Sequence, residues 1–203
     1  MLQTKLDEIQ IDQLMEIMNI GASHASTALS RLVNQPVGLS IPFVHMDTVN
    51  NVNKYYSQCD ETISAALVKV SGDIKGAMYF LFSYKNKKKL TDLLLLGIKD
   101  KSIKDELNAT VVEELGNILS GASLAAFSKF MNLNLPHSAS EVLDGTLREV
   151  VERVSAGAVG VDGTVLMFQI DFTIGDDKVD TNFMFFIDDK ATKTLLDALK
   201  LKY

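Results

Sequence analysis

The feature that most constrains the fold of this chain is an internal repeat. When the sequence is shifted by 98 positions, residues 13–34 align with residues 111–132, and six of these 22 positions are identical: Glu16/Glu114, Asn19/Asn117, Ile20/Ile118, Ala28/Ala126, Ser30/Ser128 and Asn34/Asn132. A solenoid needs more copies at a shorter period. We therefore expect two half-repeats, about 1–100 and 101–203, that form a single domain over 1–203 and share one sheet about a pseudo-twofold axis.

Each half also closes with the same pattern of strands and a helix. Two pairs of runs rich in aromatic and β-branched residues flank short turns, 62–70 with 74–82 and 164–174 with 179–187. Leucine-bearing helical patterns follow them, over 87–96 and 190–201. Because short turns imply antiparallel pairing, the sequence predicts an α+β fold: a pseudo-twofold duplicated unit with long helices packed on a largely antiparallel β-sheet.

The middle of each half is less regular. Residues 37–49 are apolar but include Pro42, which is typical of an edge strand or a strand entry rather than a central strand. The corresponding part of the second half, 144–155, has a helical pattern instead. On this evidence we expect the two copies to have drifted apart there.

Composition and charge exclude several classes of function. With 26 acidic and 20 basic side chains, a net charge of -6 and a pI of about 5.1, the chain is poorly suited to bind nucleic acid. A single cysteine and three histidines without ligand spacing predict no disulfide and no metal site. The sequence shows no secretory leader and no apolar run near the ~18 residues of a membrane span. We therefore expect a cytoplasmic protein without membrane contact.

The first repeated segment is an amphipathic helix with a polar stripe. At about 100° per residue, six polar side chains spaced by three or four positions fall in one narrow sector: Asp12, Glu16, Asn19, Ser23, Ser26 and Ser30. The remaining faces carry the residues expected in the core, Leu14, Met18, Ala25, Leu29 and Leu32. The polar stripe is therefore predicted to look outward.

Each residue of the stripe has an ordinary structural interpretation. Asp12 suits a helix N-terminus and Glu16 suits an exposed turn. Asparagine in mid-helix is less ordinary, because its side chain competes for backbone hydrogen bonds, yet Asn19 and Asn117 occupy matching positions. The repetition is compatible with a function or with a structural role inherited by duplication.

A glutamate and an asparagine one turn apart have a limited chemistry. The carboxylate accepts hydrogen bonds and pairs with cations, whereas the amide donates and accepts but does not titrate. Such an amide can hold an attacking water in line with a phosphoryl group. The sequence shows no nucleophile with a paired base, no phosphate-binding loop motif and no metal cluster. The missing groups would therefore have to come from the substrate.

At this point the sequence resembles the CheC phosphatases of the CheC, CheX and FliY chemotaxis group. The family signature is Asp/Ser-x3-Glu-x2-Asn followed 23 residues later by proline, and Asp12, Glu16, Asn19 and Pro42 match it fully. The neighbouring 19–30 segment is also similar to the first CheC helix. The resemblance spans nearly the whole chain, and the presence of two motifs is more similar to CheC than to CheX or FliY.

The second copy of the signature departs from the pattern at two positions. Glu114 and Asn117 match and Thr110 is a mild replacement for Ser, but Ser140 stands where the proline would be. From this departure we expect the second site to be the weaker one, and the sequence leaves open whether both sites are active.

The resemblance implies an enzyme that dephosphorylates CheY, a receiver domain carrying an aspartyl phosphate. No cofactor is expected on this chain, and Mg²⁺ would be bound by the receiver together with a receiver lysine. The resemblance assigns water positioning to Asn19 and Asn117 and docking to Glu16 and Glu114. Further partner-binding residues would be Asp12, Thr110 and Ser23.

The family also implies an alternative, a non-catalytic adaptor that binds the receptor deamidase CheD. A flagellar-switch component is less favoured, since no appended switch region is recognisable in the 203 residues. Because one chain carries two motifs, a dimer is not needed to present two sites, and we expect a monomer. The sequence does not identify which receiver is the substrate.

Overall fold

The computed structural model describes residues 5–154 and 163–200. Helices and strands follow one another in the same order in both halves. The first half contains α1 (Glu8–Val33), β1 (Gly38–Thr48), α2 (Val49–Tyr56), β2 (Thr62–Val70), β3 (Gly76–Ser83) and α3 (Tyr84–Leu95). The second contains α4 (Lys101–Met131), β4 (Glu141–Thr146), α5 (Leu147–Val154), β5 (Thr164–Ile174), β6 (Asp177–Ile187) and α6 (Asp189–Lys200).

The six strands form one antiparallel sheet in the order β1-β5-β6-β3-β2-β4. When each strand is exchanged for its counterpart in the other half (β1 for β4, β2 for β5 and β3 for β6), the same strand order is obtained, read from the opposite edge of the sheet. The pseudo-twofold axis therefore passes between the central strands β3 and β6. The predicted α+β class and its pseudo-twofold duplication are confirmed.

The two predicted hairpins are present, with boundaries within two residues of those expected. Gly72 turns the first hairpin with a φ of 88°, and Gly175 turns the second with a φ of 59°. Positive φ is readily accessible to glycine because it lacks a β-carbon. The predicted edge strand is also confirmed, since β1 lies at one edge of the sheet.

The prediction of a helix over 144–155 is wrong at its start. Residues 144–146 end strand β4, and the helix α5 begins only at Leu147. A reciprocal cap fixes this boundary: the N–H of Thr146 donates to the Glu149 carboxylate at 2.8 Å, and the N–H of Glu149 donates to the Thr146 hydroxyl at 3.3 Å. The first of these bonds lowers the pKa of Glu149. Ser155 lies outside the described residues.

The expected drift between the halves is therefore also wrong. The strand β4 and helix α5 correspond to β1 and α2, and Thr48 caps α2 as Thr146 caps α5. The long helices end alike as well, because Asn34 and Asn132 both adopt the left-handed conformation, with φ of 54° and 53°. Asparagine tolerates this conformation better than most residues, which explains its identity at both positions.

The sheet has a core on each face. The larger core lies under α1, α3, α4 and α6, and its centre contains stacked rings, including Phe168 and Phe183 with centroids 4.4 Å apart. The smaller core lies under α2 and α5. Of the helix residues predicted to be buried, four are in the larger core, but Leu32 is 40% exposed, so that part of the prediction is wrong.

The helices α1 and α4 lie directly against each other on the larger core. Gly21 permits this approach, since a β-carbon there would lie 3.1 Å from the carbonyl oxygen of Ala122 and 3.1 Å from the α-carbon of Ser123. The two copies of the Glu-x2-Asn motif are thus carried by two neighbouring helices on the same face of the sheet.

Candidate functional site

The acidic part of the first stripe lies at the surface. Asp12, Glu16 and Ser23 are exposed on α1, while Thr110 and Glu114 are half-buried on α4. The Thr110 hydroxyl donates to the carbonyl oxygen of Glu106 at 3.2 Å within its own helix. The structure therefore places the predicted docking acids where a partner can reach them, more fully in the first copy.

Asn19 is half-buried and is bound to the edge strand β1. Its side-chain amide donates to the carbonyl oxygens of Met15 at 2.8 Å and Ile41 at 3.1 Å, and its Oδ1 accepts from the N–H of Ile41 at 2.9 Å. The helix and the strand are thus joined through this side chain. The amide faces the beginning of β1 rather than open solvent.

Asn117 makes the corresponding contact in the second half. Its Oδ1 accepts from the N–H of Ser140 at 2.8 Å, immediately before strand β4 begins. Ser140 itself is 5% exposed, and its hydroxyl is buried without a hydrogen-bond partner within the described residues. In both halves an asparagine side chain therefore joins a long helix to the edge strand of its own half.

The two contacts differ by one residue because of Pro42. Proline has no N–H to donate, so in the first half the preceding residue, Ile41, binds the asparagine. The pairing of β1 with β5 shifts register between Ser40 and Phe43, which marks a bulge at this place. Ser140 retains its N–H and binds Asn117 directly. The departure from the proline pattern thus preserves the contact between helix and strand.

The later part of the first stripe has a structural role. The Ser26 hydroxyl donates to the carbonyl oxygen of Val37, the Ser30 hydroxyl donates to the carbonyl oxygen of Ser26 at 2.7 Å, and the N–H of Val37 donates to the Ser30 hydroxyl at 2.9 Å. These bonds fix the chain as it enters β1. The prediction that the whole stripe looks outward is therefore wrong for Asn19, Ser26 and Ser30, which are half-buried and bound to backbone groups.

A small cavity of about 190 Å³ adjoins Glu16. Residues from α1, α4 and α6 line it: Gln13, Glu16, Ile17, Phe130, Met131, Ala198 and Leu199. The surface around the exposed carboxylate is thus mixed, with a charged group beside an apolar depression.

The arrangement can bind and orient but offers little for independent chemistry. A primary amide can position a water, and the nearby carboxylates can bind a cation. In the parts of the chain that the structure describes, no cluster of three or more His, Cys, Asp or Glu side chains could hold a metal ion.

The sequence alone did not identify Ile41 and Ser140 as partners of the two asparagines. Their contribution comes from the backbone, which any residue except proline can provide. The sequence did contain one signal, since Pro42 and Ser140 each follow their asparagine by 23 positions. Proline has no N–H, so this difference indicates that the two strand entries offer different backbone donors.

Two family models match the chain. The model described as "Chemotaxis phosphatase CheX" matches residues 64–162, and the model described as "CheC-like family" matches residues 9–46. A curated relative, "CheY-P phosphatase CheC" of Bacillus subtilis, is 28% identical over 141 residues, which cover 68% of this chain and 67% of the relative.

Solved structures share the fold along most of the chain. FliY of Thermotoga maritima is 18% identical with a TM-score of 0.72, covering 98% of this chain and 99% of that one. The FliM middle domain from H. pylori is 15% identical with a TM-score of 0.58, covering 96% and 99%. A CheX from Desulfovibrio desulfuricans is 16% identical with a TM-score of 0.52, covering 85% and 99%.

The matching family models and the curated relative place the chain in the class of chemotaxis proteins. Within that class, the chain belongs to the CheC, CheX and FliY family. No helix in the described ranges 5–154 and 163–200 is long and apolar enough to cross a membrane.

Proposed function

We propose that this protein is a phosphatase that accelerates hydrolysis of the aspartyl phosphate on a CheY-type response regulator. The observation that carries the proposal is the repetition of one arrangement on α1 and α4. On each helix a glutamate lies one turn before an asparagine. The side-chain oxygen of that asparagine accepts a hydrogen bond from a backbone N–H at the entry of the edge strand. The similarity to a protein named CheY-P phosphatase CheC supports the same function.

In the proposed reaction this chain supplies orientation and the receiver supplies the reacting groups. The receiver brings the phosphoaspartate, Mg²⁺ and a lysine. Glu16 or Glu114 binds that lysine, and Asn19 or Asn117 holds a water in line with the phosphorus atom. The water oxygen forms a bond to phosphorus as the bond to the aspartyl oxygen breaks. The products are the free aspartate carboxylate and inorganic phosphate.

The proposal is tested by following phosphate loss from a CheY-type receiver that has been phosphorylated with acetyl phosphate in Mg²⁺. The parent protein should accelerate the loss, and the double variant Asn19→Ala/Asn117→Ala should abolish that acceleration. Each single variant should retain part of it. A double variant that is as fast as the parent would refute the assignment.

A matched control removes two asparagines elsewhere. Asn50 on α2 and Asn108 near the start of α4 are exposed, and neither stands at the position of a predicted site residue. The variant Asn50→Ala/Asn108→Ala should accelerate phosphate loss as the parent does. Circular dichroism on all variants separates loss of activity from loss of fold.

A second function, a non-catalytic adaptor for the receptor deamidase CheD, is favoured by one observation. The Asn19 amide is already engaged in three hydrogen bonds to the backbone, as expected of a structural residue. If the protein is only an adaptor, CheD binding should persist in the double variant and the parent should not accelerate phosphate loss. Turnover that depends on the asparagines supports the phosphatase.

Three further expectations belong to the same proposal. Asp12, Ser23 and Thr110 contribute to receiver binding beside the glutamates. The protein is a monomer, because each chain presents two sites, and light scattering on the purified protein checks this. It acts in the cytoplasm as one domain built from two half-repeats.

A further inference from the structure

The two asparagines differ in how much of their hydrogen-bonding capacity is already used. A primary amide has two N–H donors and an oxygen with two lone pairs. In Asn19 the amide nitrogen donates twice, to Met15 and Ile41, and the oxygen accepts once, from Ile41. Only one lone pair of Asn19 is left for a water.

Asn117 keeps most of its capacity. Its oxygen accepts one hydrogen bond from Ser140, and within the described residues its amide nitrogen has no hydrogen-bond partner. It can therefore both donate to a water and accept from it while it stays bound to the strand. If the side chain has to turn toward the phosphoryl group, Asn117 gives up one hydrogen bond and Asn19 gives up three.

The entry of the edge strand explains this difference. In the first half the bulge near Pro42 presents both the N–H and the carbonyl oxygen of Ile41 to the asparagine. In the second half Ser140 presents only its N–H. The strand entry thus accounts for the two hydrogen bonds between Asn19 and Ile41, whereas the bond to Met15 lies within α1.

We infer that Asn117 carries most of the turnover. We also infer that the bulged entry of β1 helps to hold Asn19 in a resting arrangement, in which its amide makes three hydrogen bonds to the backbone. This inference rests on the proposed phosphatase function and names which site performs it. It reverses the ranking expected from the missing proline. The residues at 42 and 140 act as positioning residues, since they affect the water only through the asparagine.

The test compares the two single variants on the acetyl phosphate-treated receiver. Asn117→Ala, which leaves only the first site, should have a kcat roughly tenfold below that of Asn19→Ala, since the asparagine it retains must give up two more hydrogen bonds than Asn117. KM should be similar, because the glutamates are intact in both variants. Equal kcat values, or a lower kcat for Asn19→Ala, would overturn the inference.

A second variant tests the resting arrangement directly. Pro42→Ser restores an N–H at the position where Ser140 has one, so Asn19 can adopt the arrangement of the second half. Combined with Asn117→Ala, it should raise kcat several-fold toward the value of Asn19→Ala, with KM unchanged. The control Pro36→Ser, at an exposed proline before β1, should leave kcat unchanged. An unchanged kcat for Pro42→Ser would contradict the inference.

A stability measurement gives a readout independent of activity. Asn19→Ala removes three hydrogen bonds and Asn117→Ala removes one, so the urea midpoint should fall further in Asn19→Ala. The opposite order would contradict the difference in restraint. Failure of the proposed function gives a different result from failure of the inference alone. In that case the Asn19→Ala/Asn117→Ala protein would be as active as the parent, and both the function and the inference would be wrong.

Discussion

Gly116 on α4 lies directly against Ser140 at the entry of β4. A β-carbon on Gly116 would stand 2.4 Å from the hydroxyl oxygen of Ser140 and 2.5 Å from the β-carbon of Ala66. Atoms in a packed core do not approach so closely. The absence of a side chain at 116 therefore sets the distance between α4 and the sheet next to Asn117.

We predict that Gly116→Ala lowers the free energy of unfolding by about 1–3 kcal/mol, because the added methyl group forces α4 away from the sheet. Gly121 on the same helix is the matched control, since a β-carbon there meets nothing within 4 Å. Gly121→Ala should raise the free energy of unfolding by about 0.5–1 kcal/mol. Urea unfolding measures both changes, and equal effects of the two substitutions would contradict the packing argument.

The long elements of the fold could be predicted from the sequence because their patterns are local. The apolar positions of α1 recur at helical spacing, and the strands of both hairpins are rich in aromatic and β-branched residues. Pro42 identified the edge strand, since a central strand could not lose that donor. The repeat then required the sheet to be symmetric.

The short elements were harder to predict. Helices α2 and α5 have only eight residues each, and β4 has six, so each contains too few turns or alternations to show a period. A local signal did exist at α5, because Thr146 and Glu149 have the spacing of a capping box.

The orientation of the two amides could not be predicted. It depends on which backbone groups of the edge strand lie beside α1 and α4, and this is a tertiary contact between residues 22 or 23 positions apart. The sequence located the candidate residues Asn19 and Asn117, while their different degrees of restraint emerged only from the fold.

Tyr79 on β3 should make stability depend on alkaline pH. Burial raises the pKa of Tyr79 from 10.0 to about 12, and its ring packs edge-on against Phe186 with centroids 5.6 Å apart. The folded state therefore holds the phenolic proton more tightly than the unfolded state. This contribution is fully present below about pH 10 and is lost as the pH rises toward 12.

The variant Tyr79→Phe isolates this contribution, because phenylalanine cannot ionise. Urea unfolding between pH 9 and pH 12 should show a smaller loss of stability in the variant than in the parent. A parent and a variant that lose stability in parallel over that interval would show that Tyr79 does not contribute.

The two motif glutamates should control receiver binding. We predict that Glu16→Gln/Glu114→Gln raises KM for the phosphorylated receiver by roughly two- to tenfold, because the receiver loses two charges that attract it. The rise in KM should be smaller at high salt, since salt screens charges at the rim of an interface. The control Glu61→Gln/Glu152→Gln changes the net charge equally at two other exposed glutamates. An equal rise in KM for both pairs would show a general charge effect rather than docking by the motif residues.

Neither half should fold alone. Among the described residues, β1 pairs only with β5 of the other half, and β4 pairs only with β2. The larger core also combines residues of both halves, and α1 packs on α4. A cut after Lys99 gives two fragments and keeps the capping residue Asp100 on α4. Each fragment then has an edge strand without its only partner and an exposed helix face.

We therefore predict that fragments 1–99 and 100–203 show no cooperative urea transition when separate, and that mixing them restores the transition with a lower midpoint. The midpoint falls because joining two chains costs entropy that the intact chain does not lose. The uncut protein is the control. A fragment that unfolds cooperatively by itself would show that the duplicated unit is two domains, since a half that buries its own core needs no strand from the other.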